Sequence, residues 1–259
     1  MTTDLVLIER SGAVATLTLN CPGKGNSIDL PMAQALLDAA VLCDEEEGIR
    51  CVVLTGAGRM FCVGGDVSSF AAAGDGLPAL ITQLTAVLHA AVSRLARMNK
   101  PLLTLVNGPA AGAGLSLAAL GDIALASTAA HFTMAYTAIG LSPDGGSTWL
   151  LPRLIGLRRT QELALTNRRL TADDAAAAGL VTRVVEAEAL VAEGQALAAT
   201  LAAGATGAFG RTRALLTGTF AANLEDQMAA ETLAITESGR SAQGREGIAA
   251  FMEKRKPVF

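Results

Sequence analysis

The sequence predicts an α/β protein with a largely parallel sheet, followed by a helical C-terminal part. Three features predict it. Short apolar runs such as CVVL (Cys51–Leu54) and LLTLV (Leu102–Val106) suit strands buried on both faces. Segments with helical spacing separate them, which implies β-α-β crossovers. From Glu186 to Met252 the helical signals run almost without a break.

Each element follows in order. Leu5–Ile8 and Ala15–Leu19 read as a hairpin pair bridged by Ser11-Gly12. Pro31 to Cys43 has helical spacing and a proline suited to a first turn. After the Cys51–Leu54 strand comes a loop, Thr55 to Ser68, and then a long helix, Leu80 to Met98. The Leu102–Val106 strand is followed by another at Ile123–Ala126. Thr171-Ala-Asp-Asp offers a helix start, and Val181–Val185 a last short strand. On this reading residues 1–195 form the α/β core and 196–259 a helical region, with no internal repeat.

Composition excludes several functions. The 259 residues suffice for one large domain, or one with a smaller appendage. Twenty basic residues against twenty-four acidic ones form no cluster that suits nucleic acid. Four scattered cysteines without a CxxC pair, and only two histidines, argue against a metal site and for buried thiols in a reducing compartment. The start, MTTDLVLIER, lacks the basic and apolar blocks of a secretory leader. The apolar stretch Pro101–Ser127 is broken by Asn107, Pro109, four glycines and Asp122, short of the roughly 20 apolar residues of a membrane span. The expectation is a cytoplasmic protein without membrane, metal or nucleic-acid partners.

Two glycine-rich loops follow buried strands: Gly56–Phe70 (GAGRMFCVGGDVSSF) and Asn107–Leu120 (NGPAAGAGLSLAAL). Either alone reads equally as a tight strand-to-helix turn. Neither matches GxGxxG with a well-placed acid, and there is no GK[ST]. Two together suggest converging backbone N–H groups, the makings of an oxyanion hole. Further on, LSPDGGST sets Asp144 between a proline and two glycines. An isolated Pro-Asp-Gly-Gly reads as a turn whose aspartate caps a helix over Gly145–Leu151.

The motifs FCVGGDV, VNGPAAGAGLSLA with GDIALAS, and the segment from His131 through PDGGSTWLLPRLIG resemble the enoyl-CoA hydratase/isomerase (crotonase) family. LTNRRLTADDAAAAGLVTRVV and REGIAAFMEKRKP fit the same pattern, so the resemblance covers essentially the whole chain. It implies a spiral of β-β-α units, a helical C-terminal region used in trimerisation, and an acyl-CoA substrate with no separate cofactor. It implies oxyanion donors at the N–H groups of Gly65 and Ala113, the latter usually glycine. Where hydratases of the family carry two glutamates, this chain has Ser116 and Tyr136. A serine does not titrate in range and a tyrosine does so near ~10, so neither is a base at neutral pH.

The position of Asp144 faces the acyl pocket in this family, which points to a reaction that moves one proton. The AYTAIGLSPDGGSTWLLPR region is most similar to the ring-epoxide and Δ3,Δ2-enoyl-CoA isomerases. Enoyl-CoA hydratase activity is one alternative. Another is aryl-CoA dehalogenation or hydrolysis, with Asp144 as nucleophile and His89 as a possible second base activating water. A third is a non-catalytic acyl-CoA-binding member. The resemblance also places CoA against Lys24, Val63, Gly64 and Asp66, with Lys254 to Lys256 meeting the CoA phosphates from a neighbouring subunit. The assembly it implies is a homotrimer or a dimer of trimers. Apolar flanks to the site are expected from Phe61, Leu115, Ile139, Leu141 and Trp149, and a small, flexible lid from residues 69–79.

Overall fold

A computed structural model of the chain describes residues 4–259. The first three residues, which open the segment read above for a leader, lie outside the described part. Strands β1 (Val6–Ser11) and β2 (Val14–Leu19) form an antiparallel hairpin closed by Gly12 in the left-handed region. Helix α1 (Leu30–Glu45) begins where the Asp29 carboxylate accepts the Met32 N–H, with Pro31 in the first turn. The chain then enters β3 (Cys51–Gly56), parallel to β2. Helices α2 (Val67–Ala73) and α3 (Leu77–Arg97) lead to β4 (Leu102–Val106), which is buried throughout and parallel to β3.

From here the chain winds as a spiral. The short β5 (Ala110–Ala111) is followed by α4 (Ala113–Ala118), β6 (Ile123–Ser127) and β7 (His131–Thr133). Helices α5 (Ser147–Ile155) and α6 (Leu157–Thr166) precede β8 (Leu170–Thr171), α7 (Ala172–Ala178) and β9 (Arg183–Val185). One sheet runs in the order β1-β2-β3-β4-β6-β9, antiparallel only at its first pair. A second, small sheet runs β5-β7-β8. Successive turns of chain add one strand to each sheet. A bridge between Cys62 and Ala110 ties the first glycine loop to the small sheet.

The large sheet is covered on both faces, which explains its unbroken apolar runs. In β3, Val52 and Leu54 face the larger core with Leu36 of α1 and Leu88 and Leu95 of α3. Cys51 and Val53 face the opposite side, against Leu190, Ala198 and Ala202 of α8 (Leu190–Ala202). The stretch Val67–Arg97 is apolar and long enough to cross a membrane, but Leu84, Leu88, Ala91 and Leu95 of α3 are core residues packed toward α1.

Two expectations need correction. A boundary at 195/196 divides α8, whose Gly194 lets the helix sit flush on Leu105; the helix belongs with the sheet, and the chain departs only after Ala202. Residues 69–79 are not a floppy lid. Asp66 caps α2 by accepting the Ser68 and Ser69 N–H groups, the alanines propagate the helix, and a single turn of 3-10 helix at Gly74–Gly76 passes into α3. The C-terminal helices are α9 (Thr206–Gly218), α10 (Leu224–Arg240) and α11 (Ala242–Met252). Arg213 of α9 anchors them by pairing with Asp122 at 2.7 Å and donating to the Leu95 and Lys100 carbonyls.

Candidate active site

The two glycine loops touch. Gly64 holds a φ of +95°, and a Cβ there would lie 2.8 Å from the Ala111 carbonyl oxygen and 3.4 Å from the Ala113 nitrogen. Glycine is required for this approach. Around the contact, the backbone N–H groups are committed one by one. Gly64 donates to Cys62 Sγ, Asp66 to the Ile28 carbonyl and Gly112 to the Thr133 carbonyl. The N–H groups of Gly65 and Ala113 have no partner among the described residues. Ala113 is the first residue of α4, where an N–H has no intrahelical acceptor. Both residues line one cavity of about 420 Å³, together with Tyr136 and Asp144. Two free donors beside a carboxylate can stabilise an oxyanion and move a proton next to it.

Asp144 does not cap a helix. Helix α5 starts at Ser147 with Gly146 as its N-cap residue and no side-chain cap. Instead, the backbone carbonyl of Asp144 accepts the Ser147 N–H, the Ser147 hydroxyl at 2.9 Å and the Ser116 hydroxyl at 3.3 Å. Gly145 and Gly146 both take left-handed φ values, +60° and +80°, and turn the chain into α5. The turn leaves the carboxylate free. Its Oδ1 accepts the Tyr136 hydroxyl at 2.5 Å, and Oδ2 has no partner among the described residues.

Tyr136 lines the cavity and Ser116 is buried behind the Asp144 loop, the two positions where the sequence offered no base. Burial, then the Asp144 charge and hydrogen bond, push the Tyr136 phenol far above the usual tyrosine range. It therefore stays protonated and acts as a donor. Ser116 is 1% exposed, with its hydroxyl given to the Asp144 carbonyl. His89 reaches the same loop from α3, but its Nε2 accepts the Gly145 N–H at 3.1 Å. That lone pair holds the loop and is not free to take a proton from water.

The CoA-side residues divide. Val63 and Gly64 line the cavity. Lys24 is exposed at the rim, its Nζ 3.0 Å from Asp66 Oδ2. Asp66 is 5% exposed and holds no surface for a ligand. The Ser68 hydroxyl and the Lys24 ammonium keep its carboxyl well below the usual range, so it caps α2 and steadies Lys24. Lys256 lies on the exposed tail and does not line the cavity, while its neighbour Arg255 is paired with Glu246 and Glu253. No cluster of three or more His, Cys, Asp or Glu side chains is placed to bind a metal among the described residues.

The apolar wall also differs from expectation. Ile139 and Leu141 face the cavity, as do Phe70 of α2 and Leu84 and Leu88 of α3. Phe61 and Leu115 are buried in the core, and Trp149 faces outward with the Arg153 guanidinium 4.1 Å from its ring centroid. No local sequence signal marks the Tyr136–Asp144 bond, which closes across an intervening turn, or His89 meeting Gly145.

Residues 9–259 match the protein family described as enoyl-CoA hydratase/isomerase. The 1,2-epoxyphenylacetyl-CoA isomerase of Escherichia coli (strain K12) is 38% identical over 257 residues, covering 99% of this chain and 98% of the relative. A Rhodobacter capsulatus protein named "Probable enoyl-CoA hydratase" is 36% identical, over 100% of this chain and 99% of its own. Among solved structures, an enoyl-CoA hydratase from Polaromonas sp. superposes with a TM-score of 0.93 at 32% identity, covering 97% of this chain and 98% of that one. The agreement extends over fold, both glycine loops and the C-terminal helices, and the chain belongs to the enoyl-CoA hydratase/isomerase family.

Proposed function

We propose that the protein is an acyl-CoA isomerase that shifts the double bond of a 3-enoyl thioester to the 2-position, or acts on a ring-epoxide acyl-CoA; the steps below are written for the 3-enoyl thioester. The observation that carries this reading is a single carboxylate on the cavity wall with one oxygen hydrogen-bonded and the other open. In the mechanism, Asp144 Oδ2 takes a proton from the α carbon. The C–H electron pair moves toward the thioester, and the N–H groups of Gly65 and Ala113 hold the enolate oxygen. The electrons then return, the 2,3 double bond forms as the 3,4 π bond opens, and the released pair takes the proton from Oδ2 at the γ carbon. Asp144 is regenerated and no electrons are gained or lost.

Adding water asks for more. A second group must deprotonate the water, and the neighbours here are a phenol that stays protonated and a committed serine hydroxyl. The hydratase named among the relatives keeps that reaction as the competing reading. Hydrolysis through His89 is disfavoured because its Nε2 is engaged by Gly145.

Coenzyme A enters as part of the substrate, and the reading needs no other cofactor. The working assembly is a homotrimer or a dimer of trimers, supported by apolar side chains left uncovered on α10 and α11. In it, Lys254 and Lys256 would meet the CoA phosphates of a neighbouring copy. The direct test is Asp144→Asn with a 3-enoyl-CoA, following the absorbance of the conjugated product. General acid–base groups contribute roughly 10²–10⁴-fold, so turnover should fall by at least about a hundredfold while thioester affinity stays within a few-fold. A variant retaining more than a tenth of wild-type kcat would refute the single-acid mechanism.

A further inference from the structure

We infer that Tyr136 is a positioning residue: its hydroxyl locks the Asp144 carboxylate through Oδ1, so that Oδ2 alone both takes and returns the proton. This rests on the proposed isomerisation and concerns how one carboxylate manages two transfers without losing its proton to solvent.

The geometry is specific. The phenol donates to Oδ1 at 2.5 Å, and its ring packs beside Gly112, where an added Cβ would lie 3.8 Å from the Tyr136 Cζ. The backbone takes an unfavourable conformation to present it. Ala135, which lines the cavity, holds a φ of +62°, a left-handed conformation that an alanine rarely adopts. The Ser116, Ser147 and His89 side chains grip only the backbone around Asp144. Tyr136 is the one described side chain that holds the carboxylate itself.

Locking matters because the same proton must travel from one carbon to another two bonds away. A carboxyl free to rotate, or with water on Oδ1, can trade its proton with solvent between the steps. A phenol on Oδ1 blocks both routes. It also leaves one oxygen to serve both carbons on the same face of the substrate.

The chain has a single tyrosine, so its titration can be read without ambiguity. Tyr136→Phe removes only the hydroxyl. Misplaced catalytic groups cost up to roughly a hundredfold, and loss of this anchor should lower kcat about tenfold with KM little changed. In deuterated water, the fraction of product carrying solvent deuterium at the γ carbon should rise at least about twofold over wild type. A structural role alone would leave that fraction unmoved. In parallel, tyrosinate absorbance should appear at lower pH in Asp144→Asn than in wild type, because the neighbouring negative charge that opposes ionisation is gone.

If wild type isomerises and Tyr136→Phe matches it in kcat and in deuterium content, the inference is wrong. If the Phe variant does not fold, the tyrosinate titration decides, and an unchanged titration in Asp144→Asn overturns the coupling. Failure of wild type to isomerise would instead sink the proposed reaction, with the titration still reporting on the Tyr136–Asp144 bond.

Discussion

The wall around Asp144 and the C-terminal helices leave opposite things unsatisfied. On the cavity wall beside Asp144, the Gly65 N–H, the Ala113 N–H and Asp144 Oδ2 have no partner among the described residues. On α10 no residue is buried, and Leu233 and Ile235 are 70% and 73% exposed; Phe251 on α11 is 81% exposed. Unpaired polar groups on a cavity wall are available to a ligand. Uncovered apolar side chains await a surface, and a repeated copy of the chain is the economical one.

That contrast can be broken at either end. The largest effect belongs to Asp144→Asn, which removes the base while leaving the wall intact. Next comes Ala113→Pro, which deletes one of the two free donors. Proline is tolerated at the first position of a helix, so the fold should survive. Loss of one oxyanion donor costs roughly 10²–10³ in kcat, and a variant within threefold of wild type would remove Ala113 from the mechanism. A smaller effect is expected at the other end. Leu233→Glu should yield species smaller than wild type by light scattering, without loss of helix content by circular dichroism. Wild type itself should scatter as three or six chains of 26.3 kDa, and a stable monomer at micromolar concentration would contradict the assembly.

The parallel strands were legible because burial on both faces leaves uninterrupted apolar runs, as at Cys51–Leu54 and Leu102–Val106. The glycine loops were legible because close backbone approach demands glycine at Gly64 and a φ of +52° favours it at Gly112. What the sequence hid depends on neighbours distant in the chain. A Pro-Asp-Gly-Gly turn suits a capping aspartate equally well, and only the fold shows Gly146 taking that place while Asp144 turns to Tyr136. Residues 69–79 looked mobile because they are small, but alanines propagate a helix once Asp66 has capped it. The helix over residue 195 read as part of a separate region because Leu and Ala suit a core and an interface alike.

The proposed reaction needs one carboxylate to move a proton and no group to activate water. Incubating wild type with a 3-enoyl-CoA in ¹⁸O-labelled water tests it most directly. The prediction is conversion to the 2-enoyl-CoA with no oxygen label in any thioester product. Rapid formation of ¹⁸O-labelled 3-hydroxyacyl-CoA would contradict it and make Asp144 the base of a hydratase.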